Sequence, residues 1–272
     1  MQLIAVDIGN SSTKVGVLRT SVSTVEGDQV GPNKTTGRHW SGQARLQNEN
    51  PIVLDSKEFK LPDEPALWAV SSVNSVRATE LEEWILDHRP DDRFHLIQES
   101  EVDLNSDVQS RKQLGRDRLI AAWMAVELNQ GVGPVVVVDI GTAVTIELVD
   151  EQLVFQGGYI FPGADSKFQQ LVQNTDALPA LSQEQRSELL KNLSFGSVGK
   201  STDEAIFNGV YQSQIGGIVG IVAAISEKLP SQPAVYLTGG GAQDISKLLP
   251  QSWQRVPDLV LRGAGEIGRR LI

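Results

Sequence analysis

The tetrapeptide DIGN at residues 7–10 returns as DIGT at residues 139–142, and each copy stands between two apolar runs. The four flanking runs are residues 3–6, 12–18, 135–138 and 143–149. Each copy therefore predicts a strand, a tight turn and a second strand, with a carboxylate where the first strand ends and a glycine in the turn. Because the two hairpins begin half a chain apart, the sequence predicts two similar halves.

The residues of both turns suit phosphate and metal binding. Glycine lets backbone N–H groups approach an anionic oxygen, and a nearby aspartate can hold a hard cation directly or through water. The first turn is rich in polar groups and is followed by Lys14, which can meet phosphate oxygens as a point charge. The second turn places Thr142 and Thr145 near Asp139. We expect the two hairpins to face each other and to form one site that binds phosphate and metal. The alternative is a pair of ordinary hairpins with polar turns.

Length and composition restrict the class of protein. The chain has 272 residues, of which 40% are apolar, so it can form one large domain or two modest ones. A formal net charge of −10 argues against nonspecific binding to nucleic acid or to an anionic membrane. The absence of cysteine excludes disulfides, Cys-ligated zinc and thiol catalysis. Residues 215–225 are apolar but too short to span a bilayer, and no basic signal region opens the chain, so the cytoplasm is the expected location.

Hydrophobic periodicity predicts the remaining elements. Strands are predicted at residues 66–73, 93–97, 152–161 and 234–237. Helices are predicted at residues 75–87, 115–129, 182–190, 201–228 and 259–271, and two more open at 162 and after 241. Ser182 and Gln185 fit a capping box, and the glycines within 201–228 suggest close packing on another helix or subunit. A strand meander, helix, strand and helix, occurring twice, predicts an α/β fold with mixed sheets. Residues 20–50 lack clean alternation and yield no prediction.

The run GRDR at residues 115–118 is the strongest candidate for catalysis. It places Asp117 between two arginines at a predicted helix start. Such a carboxyl should stay ionised and can accept a proton from a substrate hydroxyl. The alternative is a capping aspartate with a surface salt bridge.

Three further patterns carry weaker signals. TGGG at residues 238–241 lies between a predicted strand and helix, where bare amides can accept the ribose or phosphate of a nucleotide. GKST at residues 199–202 is not a P-loop, because Ser194 stands where the first glycine is needed. Thr202 fits a helix cap or a hydrogen bond to substrate. His39, His88 and His95 lack metal-ligand spacing and fit surface or packing positions.

Together these motifs resemble those of the type III pantothenate kinases, of the acetate and sugar kinase, heat-shock cognate protein and actin superfamily. Seven motifs occur in the family's order: DIGNSSTK at 7–14, SSV at 71–73, GRDR at 115–118, DIGTA at 139–143, GGYIFPG at 157–163, GKST at 199–202 and TGG at 238–240. Each alone is weak, but seven in order along nearly the full chain are specific. The resemblance implies an α/β fold of two actin-like (ribonuclease H-like) domains, residues 1–130 and 131–272, with mixed central sheets flanked by helices.

The resemblance also implies a reaction and roles for residues. The reaction is ATP-dependent phosphorylation of pantothenate to 4′-phosphopantothenate, the first step of coenzyme A synthesis, with Asp117 as the base that takes the hydroxyl proton. Mg²⁺ would accompany ATP and reach Asp7 through water, and Asp139 would lie at a monovalent cation, K⁺ or NH₄⁺. Expected ATP contacts are Asp7, Ile8, Gly9, Asn10, Ser11, Ser12, Thr13, Lys14 and Thr142. Expected pantothenate contacts are Gly115, Arg116, Asp117, Arg118 and Thr202. Members of the family are homodimers, so a homodimer is expected, with neither nucleic acid nor membrane as a partner.

The acceptor side of the chain differs from the usual pattern of the family. The positions are Val108 where a Tyr is usual, Ser110 and Arg111 where Asn-Pro is usual, Arg116 where a small residue is usual, and Ala121 where Asn is usual. Two further hypotheses therefore stay open. One is a kinase or phosphatase of the same superfamily acting on another small acceptor, and the other is a non-catalytic regulator with the same fold. The regulator is disfavoured by four retained residues, which are Asp7, Asp117, Asp139 and Thr142.

Overall fold

The computed structural model describes residues 1–18, 40–54 and 59–272 of the chain. Most of the segment 20–50, including His39, lies outside the described residues, and the expectation about that histidine stays a prediction.

Eleven strands form two sheets in the described chain. The first sheet contains β1 (Gln2–Ile8), β2 (Ser12–Leu18), β3 (Trp40–Gln47), β4 (Ala66–Ser72) and β5 (Arg93–Leu96), in the order β3-β2-β1-β4-β5. The second contains β6 (Asn105–Ser106), β7 (Val135–Ile140), β8 (Ala143–Val149), β9 (Val154–Pro162), β10 (Ala234–Thr238) and β11 (Gln254–Arg255), in the order β11-β10-β7-β8-β9-β6. The α-helices are α1 (Ser75–His88), α2 (Arg116–Leu128), α3 (Ala164–Asn174), α4 (Gln183–Lys191), α5 (Thr202–Ser226), α6 (Ala242–Ile245) and α7 (Leu259–Arg269).

The two sheets repeat one strand arrangement. In the first sheet β1, β2 and β3 form an antiparallel meander, and β4 and β5 follow in parallel on the other side of β1. In the second sheet β7, β8 and β9 form the same meander, β10 and β11 follow in parallel beside β7, and β6 adds an edge strand next to β9. The predicted fold class is confirmed: the chain is α/β, with two actin-like (ribonuclease H-like) mixed sheets flanked by helices.

Residue contacts divide the chain into two compact units. The first comprises Met1–Leu104, Gln109–Leu128 and Leu259–Ile272, and the second comprises Asn105–Val108 and Asn129–Asp258. This division differs from the predicted blocks 1–130 and 131–272 in three places, the smallest of which is a boundary after Leu128 instead of residue 130. The stretch 105–108 joins the second unit because β6 pairs with β9. The last helix, α7, joins the first unit because it packs on β1, β4 and α2.

Both faces of β1 are covered in the first unit. Side chains alternate between the faces of a strand, so Ile4 joins the core beneath α1 whereas Leu3 and Ala5 face α7. Helix α7 lies so close that a Cβ added at Gly268 would stand 2.7 Å from Leu3 Cδ1. Asp7, two residues beyond Ala5, therefore lies on the α7 face at the carboxyl end of the strand.

Helix α2 covers the same side of the first sheet. It packs on α7 where a Cβ at Gly263 would stand 2.4 Å from Ile120 Cγ2, so the two helices approach at glycine distance. The buried residues of α2 run from Leu119 to Val126 without a polar interruption. The helix that begins beside Asp117 is thus held firmly within the unit that contains Asp7.

Helix α5 packs one face on the second sheet. Phe207, Ile215 and Ile225 are among the buried residues that recur along it at helical spacing. By length and composition α5 could cross a membrane, since its most apolar 18-residue window has a mean hydropathy of 1.3. The expectation that the apolar stretch is too short to span a bilayer therefore does not hold for the whole helix. Because the buried face belongs to the core of the second unit, we interpret α5 as a core helix.

The glycines of α5 do not serve packing on another helix within the described chain. A Cβ at Gly209, Gly216 or Gly220 would meet nothing within 4 Å, and one at Gly217 would only reach Phe161, at 3.9 Å. The expectation of close packing on another helix is therefore wrong for the residues that the structure describes. Packing on a second subunit stays a prediction.

The start of α4 agrees with its sequence pattern, whereas the end of α6 does not. The capping box of α4 is confirmed, because the Ser182 hydroxyl accepts the Gln185 N–H and the Gln185 side chain accepts the Ser182 N–H. Helix α6 is shorter than predicted: it ends at Ile245 and continues as a 3₁₀ turn, Ser246–Leu248.

Candidate active site

The first hairpin brings Asp7 and Lys14 together. They are direct neighbours across β1 and β2, and Lys14 Nζ lies 3.8 Å from Asp7 Oδ2. Asp7 is buried, whereas Asn10 and Ser11 at the tip of the turn are exposed. The Gly9 N–H closes the turn by donating to the Ser12 carbonyl at 3.0 Å. The predicted strand, turn and strand is therefore present, with a carboxylate and an ammonium behind an exposed polar tip.

Asn48 supports this turn from outside the hairpin. Its amide Nδ2 donates to the carbonyls of Gly9 (2.8 Å) and Asn10 (3.1 Å), and its Oδ1 accepts the Thr13 hydroxyl at 2.7 Å. The Asn48 N–H also donates to the Ser11 carbonyl. These bonds use the carbonyl groups of the tip, which suits a turn that offers N–H groups to an anion. The sequence did not reveal Asn48, because it follows β3 in a polar segment without a clear pattern.

The end of β4 lies beside Asp7. Ser71 is the parallel neighbour of Asp7, and its buried hydroxyl has no hydrogen-bond partner among the described residues. Ser72 turns the chain into α1 through its hydroxyl, which donates to the Asn74 carbonyl at 2.8 Å, and Asn74 caps the helix by accepting the Arg77 N–H. The SSV motif thus places an open hydroxyl and a helix start next to the first hairpin.

Asp117 lies in the first turn of α2. Its Oδ1 accepts the N–H of Arg118 at 2.8 Å, and a Cβ at Gly115 would stand only 2.6 Å from the same oxygen. A side chain at position 115 would therefore force the Asp117 carboxylate to shift. Burial raises the pKa of Asp117. The hydrogen bond from the Arg118 N–H and the charge of the Arg118 guanidinium act to lower this pKa, but burial has the larger effect. A partly buried carboxyl with a raised pKa can hold a proton taken from a substrate.

The two arginines beside Asp117 differ in their surroundings. The Arg116 Nε donates to Glu99 Oε1 at 3.0 Å, so this guanidinium faces the loop before α2. The Arg118 guanidinium contributes a positive charge that acts on Asp117. The structure thus keeps Gly115, Asp117 and Arg118 together and gives Arg116 a partner within the protein.

The second hairpin is packed against the glycine-rich turn after β10. A Cβ at Gly239 would stand 2.3 Å from Asp139 Oδ1 and 2.4 Å from the Ile140 carbonyl oxygen, and its φ of +87° also favours glycine. The Gly241 N–H donates to the same Ile140 carbonyl at 2.9 Å. The motif TGGG at 238–241 therefore lies directly on the aspartate at the end of β7.

Thr142 stands at the exposed tip of the second hairpin. Its carbonyl accepts the N–H of Gly163 at 2.9 Å and the hydroxyl of Ser166 at 2.8 Å, both from the start of α3. A Cβ at Gly163 would stand 2.1 Å from the Gly141 carbonyl, so this contact also depends on glycine. Three motifs that are distant in sequence meet here: DIGTA at 139–143, GGYIFPG at 157–163 and TGGG at 238–241.

Thr202 is the first residue of α5 and is exposed. The cap is Ser201, whose hydroxyl accepts the Glu204 N–H at 3.2 Å, so Thr202 is not the capping residue. A Cβ at Gly199 would stand 2.3 Å from the Ala205 N, which places the GKST run against the first turn of α5. The exclusion of a P-loop agrees with the structure, because the element before this run is helix α4 and a P-loop follows a strand. A substrate role for Thr202 stays a prediction.

A family model described as type III pantothenate kinase matches residues 3–224. The chain belongs to the type III pantothenate kinase family. A type III pantothenate kinase from Alcanivorax borkumensis is 26% identical over 273 residues, which span 98% of this chain and 99% of that protein. One from Persephonella marina is 32% identical over 149 residues, which span 55% of this chain and 54% of that protein. A solved structure from Campylobacter jejuni, named as a Baf family transcriptional activator, covers 100% of this chain and 98% of its own with a TM-score of 0.56. The two sequences are 20% identical, so this similarity shows a shared fold and nothing about function.

The carboxylates of the type III pantothenate kinase motifs suit a metal carried by a nucleotide. Among the described residues no cluster of three or more His, Asp or Glu side chains could hold a metal ion alone. Mg²⁺ in kinases is typically bound by one or two carboxylates, waters and substrate phosphates. The carboxylate at the end of β1 in the first unit and, separately, the one at the end of β7 in the second unit can each supply one protein ligand of that kind.

Proposed function

We propose that this chain catalyses ATP-dependent phosphorylation of pantothenate to 4′-phosphopantothenate, the first step of coenzyme A biosynthesis. The observation that carries the proposal is Asp117, a partly buried carboxyl of raised pKa in a chain that belongs to the type III pantothenate kinase family. Supporting it, the family match includes both glycine hairpins and the run GRDR at 115–118.

Asp117 acts as the general base in this proposal. The primary hydroxyl of pantothenate attacks the γ-phosphorus of ATP, and its proton passes to the Asp117 carboxylate. The new O–P bond forms as the bond from the γ-phosphorus to the β,γ-bridging oxygen breaks, and ADP leaves. Phosphoryl transfer depends on positioning and charge neutralisation more than on covalent chemistry. A carboxylate whose pKa is raised by burial is a stronger base than an exposed one.

We assign nucleotide contacts within each unit. In the first unit, residues 7–14 would receive ATP phosphate, with Lys14 as the cation and Asp7 reaching Mg²⁺ through water. In the second unit, Thr142 would contact ATP and Asp139 would lie at a K⁺ or NH₄⁺ ion. Mg²⁺ would neutralise phosphate charge when bound with ATP. The pantothenate contacts would be Gly115, Asp117, Arg118 and Thr202.

Three further properties belong to the same proposal. A homodimer is supported by the open glycine face of α5, where Gly209, Gly216 and Gly220 leave space for a second copy. The absence of nucleic-acid partners is supported by the net charge of −10. The proposed cytoplasmic location rests on membership of the type III pantothenate kinase family.

A second candidate is a kinase of the same superfamily with a different small acceptor. It is favoured by Arg116, which the resemblance assigned to pantothenate but which the structure pairs with Glu99. A non-catalytic regulator is less favoured. The Campylobacter jejuni protein named as a transcriptional activator shares the fold, but this chain keeps the acidic residues expected of a kinase.

An acceptor panel separates these candidates. ADP release is measured with MgATP and KCl in the presence of pantothenate, a hexose, an amino sugar or no acceptor, and again with NaCl. We expect release that requires pantothenate and is several-fold faster with K⁺ than with Na⁺. If another acceptor stimulates ADP release and pantothenate does not, that acceptor is the substrate. The absence of both ADP release and ATP binding would favour the regulator.

A further inference from the structure

The loop that precedes α2 is held by one arginine. Arg111 Nη2 donates to the carbonyls of Glu99 (2.9 Å) and Val102 (2.7 Å), and Nη1 donates to the carbonyl of Leu104. Nε adds a longer bond to the Glu99 carbonyl at 3.3 Å. A planar guanidinium presents several donors in a fixed geometry, so three carbonyls on one guanidinium fix a loop tightly. Arg111 thus closes residues 99–104 onto the chain that leads into α2.

Glu99 also contacts a second arginine. Its carboxylate accepts Arg116 Nε at 3.0 Å, while its carbonyl accepts Arg111. Burial acts to raise the pKa of Glu99, but its own backbone N–H, the Arg116 bond and the charges of both arginines outweigh burial and lower it. One residue of the loop is therefore linked to two arginines, one before α2 and one in its first turn.

These links bear on Asp117 through its neighbours. Arg116 immediately precedes Asp117. Its side chain pairs with the Glu99 carboxylate rather than with Asp117. Arg111 begins the 3₁₀ turn Arg111–Gln113, which leads through Leu114 to Gly115. The backbone that carries Asp117 is thus tied to the same loop from both sides of Gly115. A catalytic carboxyl gains most from such support, since a displacement of about 1 Å can lower a rate by about 10²-fold.

We propose that Glu99 and Arg111 are positioning residues for Asp117, and that Arg116 serves as their link to α2 rather than as a contact to the acceptor. The proposal rests on the proposed function, in which Asp117 is the general base. It predicts that loss of the contacts between Glu99 and the two arginines slows the chemical step while ATP and pantothenate still bind.

The kinetic test is a double-mutant cycle of Glu99→Ala and Asp117→Asn. We expect Glu99→Ala and Arg111→Lys to lower kcat by about 10- to 100-fold with both KM values within about twofold. In the Asp117→Asn background, Glu99→Ala should have no further effect, because the residue that it positions no longer acts as a base. Glu99→Gln, which keeps an acceptor for Arg116, should retain more activity than Glu99→Ala. The matched control is Asp103→Ala, because Asp103 is an exposed residue of the same loop whose carboxylate lies 4.0 Å from Arg270 and contacts neither Arg111 nor Arg116.

A second readout does not require turnover. The pKa of the Asp117 carboxyl is measured by NMR titration, with Asp117→Asn used to assign its signal. In Glu99→Ala the pKa should fall toward the ordinary aspartate value, since a loosened turn admits water, and in Asp103→Ala it should not move. An unchanged pKa in Glu99→Ala, equal losses in both backgrounds of the cycle, or a loss confined to the KM for pantothenate would overturn the positioning role. If wild type transfers no phosphate to pantothenate, the proposed function fails while the titration still decides whether Glu99 positions Asp117.

Discussion

Asp117→Asn is expected to lower kcat for phosphate transfer to pantothenate by at least ~100-fold, the scale expected when a positioned base is lost. An asparagine oxygen can still accept the Arg118 N–H, so the substitution removes the base with little change of shape. The measurement is steady-state kcat with saturating MgATP and pantothenate. Asp87→Asn, at an exposed position on α1, is the control and should leave kcat unchanged. Equal rates for wild type and Asp117→Asn would remove Asp117 from the mechanism.

The raised pKa of Asp117 also predicts how activity and stability depend on pH. In the proposed mechanism the base is the ionised carboxylate, so kcat of wild type should fall as the pH drops through the raised pKa of Asp117. Stability has the opposite sign, because a folded-state pKa above the unfolded value favours folding at low pH and that contribution is lost as the pH rises through the folded pKa. At neutral pH the ionised carboxylate opposes folding. The Tm of Asp117→Asn at pH 7 should therefore equal or exceed that of wild type, and a marked decrease would indicate a structural role.

Gly239→Ala is expected to have the largest structural effect. The new Cβ would meet Asp139 Oδ1 at 2.3 Å and the backbone of Ile140 at 2.4 Å, in a backbone conformation with φ of +87°. Backbone strain and overpacking together should reduce the free energy of unfolding by roughly 2–5 kcal/mol. Because Asp139 must move, kinase activity of the protein that remains folded should also fall, by about 10²-fold.

The matched control for this variant is Gly217→Ala. Gly217 lies in α5 but is not among the glycines proposed to face a second copy, and an added Cβ would reach only Phe161, at 3.9 Å, within the described chain. Alanine has the higher helix propensity, so stability should stay the same or rise by up to about 1 kcal/mol. Urea unfolding and kcat are measured for both variants. A Gly239→Ala protein as stable and active as Gly217→Ala would show that the turn after β10 does not constrain Asp139.

The elements that could be predicted are those defined by local patterns. Both copies of the DIG motif form hairpins because alternation and turn residues act over a few positions. Their lengths still differ: Ile8 pairs with Thr13 across four loop residues, whereas Ile140 pairs with Val144 across three. The motif repeat predicted the hairpins but not this difference in loop length.

Strand β3 was missed although its pattern is present. Trp40, Gly42, Ala44 and Leu46 alternate with more exposed neighbours along it. Glycine and alanine weaken the apolar signal, and the strand is specified instead by pairing with β2. Asn48 was missed for the same reason, because its role arises only after that pairing brings it to the first hairpin.

The candidate site shows the same limit. Asp117 could be selected from residues 115–118 alone, because its neighbours in sequence are also its neighbours in space. The partner of Arg116 could not, since Glu99 lies 17 positions earlier and nothing in the run GRDR indicates it. Long-range contacts likewise decide that α7 joins the first unit rather than the second.

The identity of the phosphorylated product tests the central claim most directly. Phosphorus NMR of wild type with MgATP, KCl and pantothenate follows ATP, ADP, inorganic phosphate and any new phosphate ester in one sample. We predict a single new phosphomonoester resonance that grows in step with ADP, from a compound with the mass of pantothenate plus one phosphate. ADP accompanied only by inorganic phosphate, or no consumption of ATP, would contradict the assignment of this chain as a pantothenate kinase.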